Sequence, residues 1–333
     1  MKVGKWLSVA IETSELRRTF KRSRGIFRRG EELLAVDDVN LSIPRGMIFG
    51  LLGHNGAGKT TTIKMLSTLL IPTSGRATVA GFDVEADERE VRRRLGVVLG
   101  GDRGLYNKLT ARDNLIYFGH LYSVPRAGLG RRVDEMLELV GLSDRGMDRV
   151  EGFSRGMKQR LHLAKALVHD PPVLFLDEPT IGLDPAAAVR VREIIAGLAP
   201  ERTVLLTTHY LHEADALCDR IAIIDHGRII VEDTPDGIKR QVGGDRRHVI
   251  SVRGHLNGWT GDLLGHLPGV TAAELDHSQD GITTITLVAS GDESSVDAAL
   301  KVLYQQDVAV DAVRTADLTL EDAFLSLTNR AEA

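Results

Sequence analysis

The chain of 333 residues is predicted to fold as a large α/β domain followed by a smaller α+β module, and three observations carry that expectation. From about Val9 to Ile238, short β-rich apolar runs alternate with helical patterns, the rhythm of strands interleaved with helices. A glycine-rich loop, "GHNGAGKT", lies between one such run and one such helix. After "VGGDRRH" at 242–248 the pattern changes, and strands and helices follow in the order βαββαβ plus one helix. The length allows each part its own core.

Composition narrows the class. With 43% hydrophobic and 26% charged residues the chain reads as globular, not disordered or fibrous. No apolar stretch approaches the length needed to span a bilayer. Glu12 interrupts the apolar patch near the N-terminus too early for a signal peptide. Cys218 is the single cysteine, which excludes an internal disulfide and suits a reducing compartment. The formal charge of −4 is unevenly spread: residues 17–29 hold seven basic side chains and no acid. Such a run suits phosphate, nucleic acid or lipid headgroups, or simply a solvated loop.

Taken in order, "RGMIFGLLG" is expected to be a strand ending in a turn. "KTTTIKMLSTLL" follows as a helix with Ile63, Leu66 and Leu70 on one face, stopped by "IPTSG". Residues from about Leu109 to Val168 are helix-rich. "PVLFLDEP", "RTVLLTTH" and "RIAIIDHGRII" then read as strands, the first two largely buried. The expected layout is a first domain over 1–240, with a helical subdomain over about 103–168, a linker at 241–248 and an accessory domain over 249–333. In the accessory part "HVISVRG", "VTAAELD", "ITTITLVAS" and "VAVDAVRTA" are the strands, and Thr319 caps the last helix. That order matches a ferredoxin-like sandwich.

Residues Gly53, His54, Asn55, Gly56, Ala57, Gly58, Lys59 and Thr60 fit the phosphate-loop pattern G-x-x-x-x-G-K-[ST], and Thr61 continues it into the helix. The glycines let backbone N–H groups turn inward around phosphate, where the helix N-terminus adds positive potential. Lys59 is placed to hold β- and γ-phosphates, and the Thr60 hydroxyl to ligate Mg²⁺. "VLFLDE" runs four apolar residues into Asp177 and Glu178. Asp177 is a candidate Mg²⁺ ligand, and Glu178 a candidate base for the attacking water. In "FSRGMKQRLHLAKAL", Ser154 and Gly156 at a helix start form a second anion site. A second half-site makes sense if it serves the nucleotide on another copy of the chain.

These motifs, in this order over about Val9 to Ile238, resemble the ATP-binding subunits of ABC transporters. Gly53 to Thr60 resembles the Walker A loop, Val173 to Glu178 the Walker B strand, and "FSRGMKQ" the signature motif. "IGLD" at 181–184, ending in Asp184, resembles the D-loop, and His209 the switch histidine. Phe20 stands where the family stacks an aromatic on adenine, with Phe27 the substitute. The resemblance implies a P-loop ABC-type ATPase core that binds ATP and Mg²⁺. It further implies a two-fold dimer holding two ATP molecules, each between Walker A of one copy and Ser154, Arg155, Gly156 and Met157 of the other. A two-fold interface presents the same patch from both sides, which accounts for the orphan anion site. The partner is then a separate membrane permease, with the chain soluble when isolated and held at the cytoplasmic face of the membrane, and no nucleic acid is expected.

Four positions depart from the family pattern. Arg155 replaces a glycine, Met157 a glutamine, Ile181 a serine, and Gly101 stands where a glutamine contacts Mg²⁺ and water. In "GVVLGGDRGLY" Gly100 and Gly101 then read as a joint, and sensing of the γ-phosphate falls to Asp102, a backbone group or water. The ending "LTLEDAFLSLT" resembles the tail of daunorubicin-type exporter ATPases. The competing reading is a soluble ABC-type ATPase acting on ribosomes or DNA, with the basic run as its support. Those enzymes usually carry two motif sets or a long coiled-coil insertion, and Ser154, 95 positions after Lys59, leaves no room for one. A non-hydrolysing sensor would need neither Glu178 nor His209.

Overall fold

Alternating and continuous burial sort the strands into two sheets. In the computed structural model, residues 9–21, 32–99, 104–242, 245–253, 263–277, 282–290, 294–306, 308–316 and 318–332 are described. Strands β1 (Val9–Lys21) and β2 (Glu32–Pro44) pair antiparallel, with β2 alternating buried and exposed side chains along its second half. Strand β3 (Ile48–Leu52) is buried at every residue, the mark of a strand covered on both faces. Strands β4 (Ser74–Val79) and β5 (Phe82–Asp83) complete the first sheet in the order β2-β1-β4-β5. The second sheet adds β6 (Leu95–Val98), β7 (Val173–Asp177), β8 (Thr203–Thr208), β9 (Arg220–Asp225) and β10 (Arg228–Asp233). Its order is β10-β9-β3-β8-β7-β6, and β9, β3, β8, β7 and β6 run parallel.

Helix α1 (Lys59–Leu66) shares one core with the two sheets, through Ile63, Met65 and Leu66 against Ile11, Val39, Phe49 and Phe175. Each fully buried side chain of this size contributes about 1.5–3 kcal/mol, so the helix that follows the glycine-rich loop is firmly fixed. Helix α2 (Glu88–Arg94) leads into β6. The helical region holds α3 (Ala111–Leu121), α4 (Arg126–Leu139) and α5 (Arg155–Leu167). Thr110 caps α3 by accepting from the Asp113 amide. The fully buried Asn114 accepts from the Tyr106 amide at 2.8 Å and donates to the Tyr106 carbonyl at 3.1 Å, fastening the preceding turn to α3. Helices α6 (Pro185–Ala196) and α7 (Leu211–Leu217) follow β7 and β8.

The chain divides into two compact units, Met1–Glu232 and Asp233–Ala333. The division falls eight residues before the boundary expected at 240/241, because α8 (Pro235–Gln241) packs with the second unit's last helix. Within the expected linker, residues 245–248 already belong to β11 (Asp245–Arg253). Strands β12 (Val270–His277), β13 (Ile282–Ser290) and β14 (Val310–Ala316) join it in an antiparallel sheet, order β12-β13-β11-β14. That strand order agrees with the expected βαββαβ sandwich; the helix expected between β11 and β12, "WTGDLLGHL", lies in part outside the described residues. Helix α9 (Ser294–Gln305) contributes Ala299 and Leu303 to a core with Ile250, Val252, Ile285 and Leu287. Helix α10 (Leu320–Glu332) starts on a reciprocal cap: Thr319 Oγ1 accepts from the Asp322 amide, and Asp322 accepts from the Thr319 amide.

Candidate functional site

The glycine-rich loop leaves β3 and enters α1 through backbone shapes that only glycine adopts cheaply. Gly56 and Gly58 have φ of +90° and +111°. A Cβ at Gly58 would lie 2.6 Å from the Ala35 carbonyl oxygen, and one at Gly53 would collide with the Ile224 carbonyl. Ala57 is buried while His54, Asn55 and Gly56 are exposed, so the rim of the loop faces outward. Thr61 is half-buried on the first turn of α1. Lys59 is 5% exposed, and its Nζ donates to the carbonyls of Gly53 at 2.5 Å and His54 at 3.0 Å. Burial lowers its pKa below the usual lysine value, and the nearby charges of Glu178 and Asp177 oppose that shift. The Lys59 Nζ thus occupies the loop beside two carboxylates.

Those carboxylates stand at the end of β7, as expected. Asp177 is 6% exposed and accepts from Thr207 Oγ1 at 2.6 Å and from Thr60 Oγ1 at 3.2 Å. Glu178 has φ of +50°, a left-handed conformation uncommon for a residue with a side chain. Its amide donates to Thr207, at 3.0 Å to the carbonyl and 3.2 Å to the hydroxyl. Its Oε1 lies 3.2 Å from His209 Nδ1 at the end of β8. Three neighbouring strand ends therefore gather Lys59, Thr60, Asp177, Glu178 and His209. Thr207 was not singled out from the sequence, although two threonines closing an apolar strand in "VLLTTH" mark the position. The hydroxyl of Thr60 and the carboxylate of Asp177 form an all-oxygen donor set, which fits Mg²⁺. A carboxylate beside an imidazole can take and hold a proton from water.

A second cluster forms at the start of α5. Ser154 Oγ caps the helix by accepting from the Met157 amide at 3.3 Å, and Ser154 is exposed. Buried Gly156 lets the α6 helix approach: a Cβ there would lie 2.6 Å from Ala187 Cβ. Asp184 caps α6 by accepting from the Ala187 amide at 2.9 Å. The Arg155 guanidinium lies over Gly182, where any Cβ would strike it. The structure thus sets Arg155 against Gly182 and Gly156 against Ala187 of α6 in the same chain, while Ser154 and Met157 meet each other in the cap of α5. Phe20 lies half-buried on β1 under the Arg18 guanidinium, 4.8 Å from its ring centre. Gly101, Asp102 and Phe27 lie outside the described residues.

A phosphate loop between β3 and α1, with an acid pair ending a parallel strand of the same sheet, defines a P-loop nucleotide-hydrolysing enzyme. The chain belongs to the ABC transporter ATP-binding family. A family model described as ABC transporter matches residues 36–181. The chain is 40% identical over 315 residues to a daunorubicin resistance ATP-binding protein of Streptomyces coeruleorubidus, covering 92% of this chain and 94% of that one. A solved ATP-binding subunit of an ABC transporter is similar with TM-score 0.59 and 30% identity, over 70% of this chain and 93% of that chain. A dimeric ATP-binding cassette solved in a post-hydrolysis state with ADP and Pi is similar with TM-score 0.59 and 25% identity, over 67% and 98% of the two chains. The chain is an ATP-binding and ATP-hydrolysing subunit of this family.

Proposed function

We propose that two copies of this chain close around two ATP molecules and that their opening and closing drives a separate membrane permease working as an exporter. The observation that carries this is the joining of Lys59, Thr60, Asp177, Glu178 and His209 within one set of strand ends. In this reading Lys59 leaves the carbonyls of Gly53 and His54 and turns to the phosphates. Thr60 and Asp177 would hold Mg²⁺, which would supply charge neutralisation on the phosphate oxygens. Glu178 takes the proton of the attacking water, and His209 holds the Glu178 carboxylate in place. Phosphoryl transfer to water then gives ADP and phosphate.

Exposed Ser154 supports a trans role for the signature cluster, since its hydroxyl and the α5 N-terminus remain accessible to a phosphate from a second copy. Asp184 is exposed at the N-terminus of α6. No helix among the described residues is long and apolar enough to cross a membrane; in this reading the permeation path belongs to the permease, and the chain works at its cytoplasmic face. The relative named for daunorubicin resistance supports the export direction. Glu178→Gln tests the reading. It is expected to lower turnover by about 10²–10⁴-fold and to trap a stable dimer, read by light scattering in Mg-ATP. A monomer in excess Mg-ATP would count against the sandwich, and co-purification with ribosomes or DNA instead of a multi-helix membrane protein would revive the competing reading.

A further inference from the structure

We propose that His54, Asp225 and His226 form a binding site for a zinc-class divalent cation that ties the phosphate loop to the turn between β9 and β10. One ligand atom from each residue lies within 4.8 Å of the others. Two imidazoles and one carboxylate suit a borderline-soft cation such as Zn²⁺ far better than Mg²⁺ or Ca²⁺. The site is therefore distinct in chemistry from the oxygen-only set of Thr60 and Asp177.

His54 carries the strongest indication. Its Nδ1 lies 2.8 Å from the Asn55 carbonyl oxygen and its Nε2 lies 2.6 Å from Asp225 Oδ1. Both ring nitrogens thus face acceptors, and a cation on Nε2 is compatible with that arrangement, with Nδ1–H donating to the Asn55 carbonyl. That outer contact is the one that orients metal-bound histidines generally. His226 Nε2 lies 3.9 Å from Asp225 Oδ2, and its ring stands 5.6 Å from that of His54. Ligands bound tetrahedrally to zinc at about 2.0–2.1 Å stand about 3.3 Å apart. The two histidines approach different oxygens of Asp225, and the three ligand atoms lie within 4.8 Å of one another, so side-chain rotations of the order of an ångström would bring them onto one cation. Asp225 is 8% exposed, while the His54 and His226 side chains are 47% and 75% exposed. The carboxylate forms a fixed base, and the open side leaves a coordination position for water.

The backbone holds this arrangement in place. The Gly227 amide donates to the Ala57 carbonyl at 2.9 Å, and the Asp37 amide to the Gly227 carbonyl at 2.9 Å. His226 keeps φ of +45° in the turn, which aims its ring beside Asp225. A cation here would cross-link His54 to that turn while the His54 carbonyl still accepts from Lys59 Nζ at 3.0 Å. If, as proposed above, Lys59 must leave that carbonyl to hold phosphate, zinc competes with nucleotide by stabilising the closed loop.

The test uses the untagged, full-length chain freed of metal on a chelating resin. Calorimetric titration with ZnCl₂, without nucleotide, is expected to show one equivalent that His226→Asn weakens at least about tenfold. Asparagine tolerates the left-handed backbone at that position, so the zinc-free Mg-ATPase of the variant is expected to stay at the wild-type rate. Zinc is then expected to inhibit the wild type and spare the variant at saturating Mg²⁺. Equal zinc affinity and stoichiometry in the two proteins, or no binding in either, would overturn the site. Inhibition that is equal in both and relieved by excess Mg²⁺ would overturn the competition, placing the zinc on Thr60 and Asp177. Because the titration contains no nucleotide, zinc binding as expected without any inhibition would count against the role given to Lys59 and not against the cation site.

Discussion

At the scale of single residues, Asp177 keeps one orientation because two hydroxyls converge on it, Thr207 at 2.6 Å and Thr60 at 3.2 Å. Thr207 also braces the Glu178 amide, so one side chain sets the positions of both acids. The signature residues are organised as tightly, but toward the outside. Ser154→Arg removes both the cap of α5 and the exposed hydroxyl. Losing the cap costs about 1 kcal/mol, which the fold can bear. Hydrolysis is expected to fall by about 10²-fold or more, while equilibrium binding of ATP to the isolated chain stays nearly unchanged. Loss of binding by the isolated chain would show that Ser154 serves its own nucleotide. Lys59, Thr60, Asp177 and Glu178 were legible in the sequence because each motif is contiguous. Thr207 and the Arg155–Gly182 packing were not, because those partners meet only when separate elements fold together.

Among elements, the segment after α5 carries a pH dependence of its own. His169 Nε2 donates to the Leu95 carbonyl at 3.2 Å, and its ring stacks on Tyr122 at 4.0 Å. Burial, only partly offset by the Leu95 contact, lowers its pKa to about 4. In the unfolded chain the same ring takes up its proton near its ordinary value of 6.5. Between those values the unfolded state binds more protons, so stability falls as pH drops from about 6.5 toward 4. The loss amounts to about 3 kcal/mol at most. Urea unfolding at pH 7.5 and at pH 5 should show a smaller drop for His169→Gln, which keeps an N–H donor; an identical drop would exclude His169 as the source. The buried strands β3, β7 and β8 were legible as continuous apolar runs. The antiparallel sheet was not assembled from the sequence, because register shifts along β1 break its alternation at several points.

For the whole molecule, every described residue of the candidate nucleotide site lies in the first compact unit, Met1–Glu232. A chain ending after Glu232 contains β3, α1, β7 and β8 together with every residue of the site. It is expected to bind ATP within a few-fold of the full-length affinity, read by fluorescence titration of a nucleotide analogue. Loss of all binding would place the boundary elsewhere and make α8 part of the nucleotide-binding unit. The four strands of the second unit were legible as separate apolar runs, whereas the placement of α8 was not, since a seven-residue helix has no pattern that names its neighbours.

Glu178 holds a backbone shape that costs an ordinary L-residue about 1–2 kcal/mol, and glycine almost nothing. The position is therefore a place where heat resistance and turnover pull in opposite directions. With the role proposed for Glu178, a population of variants screened for survival on heating alone would drift toward glycine at 178 and lose hydrolysis. One screened for work would retain the strained acid and accept the lower melting temperature that accompanies it.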